Sequence, residues 1–260
     1  MKKIIELKVN HGEGVGAGCV LLKAVPVEGH LPECQPGQFA QLRVDAPSVF
    51  LRRPISIHDV EGDEISFLVQ VVGEGTKWLG SLKRGDVLNA VLPLGRGFIL
   101  PNEKCQTSNV LLIGGGVGVA PLFFLGKRLR AKGIQPTFLL GARTKELLLR
   151  LDAFQEVGEV LVTTEDGSMG ERGFVTQHSK LSPLTSHLSP LTSIYSCGPS
   201  PMMKAVARLA RERGIPYEVS LENRMACGVG ACLCCVEETT TGNRCVCTDG
   251  PVFNINELKW

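Results

Sequence analysis

The sequence predicts a multidomain β plus α/β chain: an antiparallel β-barrel over residues 1–100, a doubly wound parallel-sheet domain over 101–220, and a small cysteine-rich domain over 221–260. Three observations carry that prediction. Short apolar–polar alternations separated by turn pairs fill the first hundred residues. Strands alternate with helices from about residue 109. Six of the ten cysteines fall between Cys227 and Cys247.

In the barrel, Ile5, Leu7 and Val9 alternate with Glu6 and Lys8, which reads as a strand and not as a signal peptide. The run EISFLVQVV places Ile65, Phe67, Val69 and Val71 on one face. Pro36-Gly37, Glu61-Gly62 and Arg84-Gly85 break these runs at short intervals, as the turns of a small barrel do.

In the second domain, VLLI at 110–113 is a buried strand, followed by the glycine cluster GGGVGVAPL at 114–122 and a helix from Pro121 to Lys132 that Gly133 ends. Next come a strand at 137–141, a helix around 145–156 and a strand at 160–164. SIYSC at 193–197 leads into a helix with Ser200 as its cap, Pro201 in its first turn and Gly214 past its end. The hexapeptide LSPLTS occurs at 181–186 and again at 188–193, a locally expanded loop to which no function is given.

Hydrophobic residues make up 43% of the 260 and charged residues 21%, enough to bury real cores. The net charge of +2, with no basic block, argues against a nucleic-acid partner. No apolar run reaches the length of a membrane span, and the expected location is cytoplasmic. In that compartment clustered cysteines point to metal rather than to disulfides. Cys19, Cys34 and Cys105 read as small apolar fillers. The histidines at 11, 30, 58, 178 and 187 show no ligand spacing.

Cys227, Cys232 and Cys235 have the C-x4-C-x2-C spacing with which plant-type ferredoxins hold a 2Fe–2S cluster. A fourth ligand arrives later, and Cys245 and Cys247 both qualify. A zinc site of four thiolates is the competing reading, but it favours paired C-x2-C knuckles and only one has a clear partner here. Forty residues of this composition would need metal to supply much of their order. A one-electron cluster downstream of a nucleotide-binding pattern suggests passage of electrons between two-electron and one-electron carriers.

That nucleotide pattern begins with the glycine cluster, which follows a strand and opens a helix, so its backbone can approach a phosphate. Its spacing departs from G-x-G-x-x-G, and the next strand ends in GARTKE without an acidic residue at its tip. In LRRPISIHD at 51–59, Arg53 suits a phosphate, Pro54 stiffens the chain and Ser56 offers a hydroxyl to a heteroaromatic edge. GEGT at 73–76 adds a second glycine turn with free N–H groups. CGPSPM at 197–202 places a thiol above another helix N-terminus, either as an acidified cysteine or, as preferred here, a small soft wall.

Along its whole length the chain resembles the electron transfer subunits of type B dihydroorotate dehydrogenases, members of the ferredoxin–NADP reductase superfamily. The resemblance rests on RRPIS, GEGT, GGGVGVAPL, CGP and above all MACGVGAC…VCTDGPVF. It implies a flavin-binding barrel, a nicotinamide-binding α/β domain and a 2Fe–2S domain. Arg53, Pro54, Ile55 and Ser56 would hold FAD, with Leu68, Val69 and Gln70 as a second flavin-contacting strand. Val69 stands where relatives commonly carry Tyr, and Ile55 where the superfamily usually has an aromatic residue. Gly75 and Thr76 match the pyrophosphate turn. Gly114, Gly115, Gly116, Gly118, Cys197, Gly198 and Pro199 would frame NAD. The x-D-G-P-V-F signature selects Cys247 as the fourth cluster ligand beside Cys227, Cys232 and Cys235, and leaves Cys234 and Cys245 outside. Gly228 and Gly230 would let the loop aim backbone N–H groups at sulfurs.

The implied function is transfer of electrons from the FMN of a separate dihydroorotate dehydrogenase catalytic subunit, by way of 2Fe–2S and FAD, to NAD+ in de novo pyrimidine (UMP) biosynthesis. The implied assembly is a 2:2 heterotetramer with the cluster segment at the interface. No residue of the chain is read as catalytic toward dihydroorotate. Arg143 is read as a solvated loop residue, and the resemblance implies NAD over NADP. Two alternatives stand beside this: an NAD(P)H:acceptor reductase subunit of a related ferredoxin reductase or sulfhydrogenase complex, and a zinc-stabilised nucleotide-binding regulator.

Overall fold

Six antiparallel strands close on themselves in the N-terminal part: β1 (Lys3–Gly14), β2 (Cys19–Pro26), β3 (Phe39–Leu42), β4 (Arg53–Glu61), β5 (Glu64–Gln70) and β6 (Val87–Leu94). Their order around the barrel is β1-β2-β5-β4-β3-β6. The computed structural model describes residues 2–101, 109–181 and 191–260. Cys105, His187 and most of the duplicated LSPLTS segment lie outside them.

The period-two pattern does the work expected of it. Leu7, Val9, Ile65, Phe67 and Val69 fill the barrel, while Glu6 and Lys8 face out. GEGT departs from the expected glycine turn: it opens α1 (Glu74–Ser81), with Gly73 as the residue before the first turn. Its free N–H groups are therefore those of a helix N-terminus.

The second sheet begins with β7 (Asn109–Gly115), whose apolar run is buried on both faces. A 3-10 turn at Gly116–Val119 leads into α2 (Ala120–Ala131), then β8 (Pro136–Ala142). The helix expected around 145–156 divides into a 3-10 turn at Lys145–Leu147 and α3 (Leu151–Val157). Arg150 breaks it by adopting a left-handed conformation, φ 53°. β9 (Glu159–Thr164), β10 (Glu171–Arg172), β11 (Leu191–Cys197), α4 (Ser200–Arg213) and β12 (Tyr217–Ser220) follow. Ser200 is the first helical residue of α4 and makes no capping bond; Pro199 occupies the cap position. Gly214, at φ 64°, ends the helix as expected.

A hairpin of β13 (Val236–Thr239) and β14 (Gly242–Cys245), the short α5 (Val246–Asp249) and β15 (Val252–Asn254) complete the chain. The sheet order is β10-β9-β8-β7-β11-β12-β15, parallel except for β15. The strand β15 thus crosses the boundary expected at residue 221 and closes one edge of the sheet. Val246, Cys247, Phe253 and Ile255 share one core with Leu111, Ile113 and Val219 of the sheet and Phe39 and Leu94 of the barrel. The cysteine segment draws its order from that shared core as well as from any metal. Among the described residues no helix is long and apolar enough to cross a membrane.

Barrel and sheet are joined by His58 on β4. Its Nδ1 donates to the carbonyl of Ala120, the first residue of α2, at 2.8 Å, and its Nε2 accepts from Arg150 Nη1 at 2.7 Å. The ring stacks on Phe123 at 4.8 Å. Burial, with only partial opposition from the Ala120 bond, lowers the imidazole from 6.5 to about 3, so it stays neutral. The unfolded chain binds this proton near 6.5, the folded chain only near 3. The stabilisation is complete above 6.5 and is lost as pH falls toward 3, at a limiting slope of about 1.4 kcal/mol per pH unit. Thermal unfolding midpoints between about pH 7.5 and about pH 5 should fall more steeply in the wild type than in His58→Gln. Parallel slopes would contradict the neutral His58 junction.

Candidate functional site

The parallel sheet reverses its strand order between β7 and β11, and a ligand crevice forms where two such strands diverge. At that point Gly114 pairs with Cys197. A cavity of about 580 Å³ opens there, walled by Gly115, Gly116, Gly141 and, from the start of α4, Pro199, Pro201 and Met202. Gly114 lies beneath the turn in the core and Gly198 behind it, and neither lines the cavity. Gly118 is where the two β–α turns touch. A Cβ there would lie 2.5 Å from Gly198 Cα and 2.6 Å from the Cys197 carbonyl oxygen. Arg143 follows β8 in an exposed loop, as expected, and from there it lines the cavity together with Thr163 and Glu165. Glu165, just past β9, is an acidic residue that lines this cavity. Sequence reading missed it because it follows β9 one strand later, in VTTED.

A second cavity, of about 270 Å³, lies between barrel and sheet. Pro54, Ile55 and Ser56 from β4 and Leu68 and Gln70 from β5 line it. Val69 does not: strand alternation turns it into the barrel core, where it is fully buried. Gln70 and Val117 line both cavities, so the two spaces adjoin. The Arg53 guanidinium crosses the first turn of α1, where a Cβ on Gly75 would come within 2.5 Å of Arg53 Nε. A guanidinium and a helix N-terminus together suit an anionic phosphate. The Thr76 hydroxyl accepts from the amides of Val72 at 2.9 Å and Gly73 at 3.1 Å, so it builds this turn.

Ser220 and Glu222 also line the second cavity and escaped notice in the sequence. Cys197 Sγ donates to Glu222 Oε1 at 3.6 Å and lies behind it, lining neither cavity. Burial pushes the Cys197 thiol well above its usual range, with the Glu222 charge adding to the effect. Burial likewise raises the Glu222 carboxyl. Cys197 is therefore a protonated thiol and no nucleophile, and it sits behind Glu222 instead of facing either cavity as the expected wall.

The cysteine loop sorts its thiols into two pairs. The backbone ties Cys232 to Cys227 and Cys247 to Cys235, the N–H of the later residue pointing at the sulfur of the earlier in each case. Val229 and Cys232 N–H groups point at Cys227 Sγ, both at 3.4 Å. Gly230 N–H points at Cys247 Sγ at 3.2 Å, and Cys247 N–H at Cys235 Sγ at 3.4 Å. Those amides, Val229 first, pull the Cys227 thiol down to about 6. Burial and the neighbouring Cys235 push Cys247 up to about 12. Cys234 is exposed, and the Cys245 amide is tied to Asp249 Oδ2 at 2.9 Å. Among the described residues no three His, Cys, Asp or Glu side chains converge as a ready-made single-ion site. Two thiol pairs wrapped by backbone N–H groups fit a two-iron cluster, in which each iron takes two protein ligands.

A closed barrel against a parallel sheet, with adjoining cavities at the switch point and paired thiols beside them, defines an NAD-linked flavin and iron–sulfur oxidoreductase. Residues 222–259 match the iron–sulfur cluster binding domain of dihydroorotate dehydrogenase B, and residues 112–208 an oxidoreductase NAD-binding domain. The dihydroorotate dehydrogenase B (NAD(+)) electron transfer subunit of Fusobacterium nucleatum subsp. nucleatum is 41% identical over 234 residues, covering 87% of this chain and 88% of that protein. That of Shouchella clausii is 41% identical over 241 residues, covering 89% and 90%. Among solved structures, a chain of the NADH-dependent reduced ferredoxin-NADP oxidoreductase aligns with TM-score 0.83 and 32% identity, covering 98% of this chain and 90% of that one. The ferredoxin reductase in carbazole 1,9a-dioxygenase aligns with TM-score 0.68 at 22% identity, covering 83% and 67%, and shares the fold. The chain belongs to the family of dihydroorotate dehydrogenase B electron transfer subunits.

Gly118→Ala should force the two β–α turns apart, because both atoms it meets are backbone. The expected cost is about 1–3 kcal/mol of stability, with weakened NADH binding. Denaturant unfolding and NADH titration check it, and wild-type values for both would show that the turns do not need this contact.

Proposed function

We propose that the chain relays electrons between an FMN-containing dihydroorotate dehydrogenase catalytic subunit and NAD+. The observation that carries the reading is the continuity of the thiol pairs, the barrel–sheet cavity and the switch-point cavity. Cys235 and Cys247 share a core with Phe39, and Phe39 lines the barrel–sheet cavity, which adjoins the larger one.

In this reading Cys227, Cys232, Cys235 and Cys247 hold a 2Fe–2S cluster. Pro54, Ile55, Ser56, Leu68 and Gln70 receive the FAD ring, Arg53 and the α1 turn at Gly75 and Thr76 its pyrophosphate. Gly115, Gly116 and Pro199 form the NAD floor, which the Gly114, Gly118, Cys197 and Gly198 backbone supports. When bound, FAD exchanges two electrons with a nicotinamide and single electrons with a cluster. The chain's own residues align the sites and keep water from them. Glu222 lines the flavin space, and Cys197 behind it is held as the neutral thiol. The likeness to the ferredoxin-NADP oxidoreductase chain supports the same relay. The higher identity to the dihydroorotate dehydrogenase B subunits, near 40%, favours the dihydroorotate-oxidising partner.

The partner surface we assign is the cysteine loop. Cys232 is exposed there beside Val229 and Leu233, the latter 63% exposed. Apolar side chains on the rim of a redox site suit burial against another subunit. A 2:2 assembly is part of this proposal.

An anaerobic visible spectrum of the purified chain, with iron and acid-labile sulfide assays, tests the relay. Flavin bands, a broad cluster shoulder that bleaches with NADH, and two irons with two sulfides are expected. A colourless zinc protein would sink it. Cys232→Ser should lose the cluster and weaken association with the catalytic subunit in size-exclusion chromatography. A full-strength complex lacking the cluster would contradict the interface assignment.

A further inference from the structure

Gln41 is a polar side chain where the barrel offers it nothing to bond. It lies on β3 between Ala40 and Leu42, which fill the barrel core, so its own side chain points outward from the barrel. There it is covered to 1% exposure. Neither its Nε2 nor its Oε1 has a hydrogen-bond partner among the described residues. Buried amides of folded proteins nearly always have one, so a buried Gln with both ends free marks a missing acceptor or donor.

The element covering Gln41 is the cysteine loop. A Cβ on Gly228, the residue after Cys227, would lie 2.6 Å from Gln41 Cγ and 2.7 Å from Nε2. Gly228 is therefore needed on two counts, for its φ of 71° and for the room it leaves the amide. The N–H groups of Val229, Gly230 and Cys232 in the same loop point at the sulfurs of Cys227 and Cys247, so an amide packed on Gly228 adjoins the sulfur shell. β3 also pairs Gln41 with Pro54 and Phe39 with Ser56, and both partners line the flavin-side cavity.

We infer that Gln41 donates its side-chain N–H to the sulfur shell of the cluster that the 227–247 cysteines hold, an inference resting on the iron–sulfur reading above. A donor to sulfur stabilises the added electron and raises the cluster potential. Gln41 thus sets the potential from the barrel side, on the strand next to the flavin strand. Its amide, supplied by a separate unit of the fold, makes cluster tuning depend on the docking of the loop onto the barrel.

The test uses the full chain purified anaerobically with its cofactors. Gln41→Met keeps the volume and removes the donor. The cluster should assemble with unchanged iron and sulfide, but its reduced-to-oxidised ratio at fixed ambient potential should fall about tenfold, about 59 mV for one electron. The FAD potential should stay in place. An unchanged cluster potential at full iron content would overturn the inference. Should Gln41→Met fail to assemble, the wild type decides alone. With glutamine side-chain amides labelled with 15N, pulsed EPR of the reduced cluster should show coupling to a side-chain nitrogen. Iron and sulfide present without that coupling would overturn the Gln41 inference and leave the relay standing; a wild-type chain lacking iron would sink both.

Discussion

Gly250, Pro251 and Val252 join three parts of the molecule within consecutive residues. The Gly250 carbonyl accepts from Arg96 N–H at the end of the barrel, and the Pro251 carbonyl accepts from Leu221 N–H at 2.9 Å, just past β12. Val252 begins the strand that closes the sheet edge. Immediately upstream, the Asp249 carboxylate holds the Cys245 amide, and Val246 N–H bonds the Cys235 carbonyl at 3.1 Å. The packing is tight enough that a Cβ on Gly95 would meet Pro251 Cδ at 2.6 Å. The DGPVF signature therefore works as a fastener. Among the described residues none of them hydrogen-bonds a cysteine sulfur, yet they fix the cysteine loop against both the barrel and the sheet.

The chemistry follows from that fastening. Hydride and electron transfer call for fixed separations and dry surroundings more than for acid–base groups, and the buried groups are arranged accordingly. His58 is held neutral where β4 meets α2. Cys197 is fully buried, and burial biases its thiol, which donates to Glu222 Oε1, toward the uncharged form. Positive character enters where anions belong, at Arg53 over the α1 N-terminus and at the turn before α2.

How much of this the sequence displayed depended on whether the signal was local. Alternation made Leu7, Val9, Ile65 and Phe67 readable as a barrel interior, because burial on one face imposes a period of two. The cysteine spacing and the strand–glycine–helix order were equally local. Val69 went wrong as a wall residue because its alternation, already visible, put it opposite Leu68 and Gln70. GEGT was read as a turn because an eight-residue helix opening on glycines has weak local signals. Ser200 lost the cap position to Pro199, since the CGP turn had already fixed where α4 starts. Glu165, Glu222 and β15 were illegible for a different reason: each acquires its role from a neighbour distant in sequence.

The two thiol pairs make the cysteine loop directional. Cys235 and Cys247 are buried in the core that includes Phe39, Val246 and Phe253. Cys227 and Cys232 lie toward the surface, with Val229 and Leu233 exposed beside them. One end of the site is thus solvated and free to meet a partner, while the other is dry and continuous with the barrel–sheet cavity. A thiol near 6 at Cys227 and one near 12 at Cys247 express the same asymmetry. A metal bound at these sulfurs would meet Cys227 closer to its thiolate and would have to displace the proton of Cys247. Because the inner pair belongs to the core that ties barrel to sheet, filling it stabilises the junction along which electrons must pass.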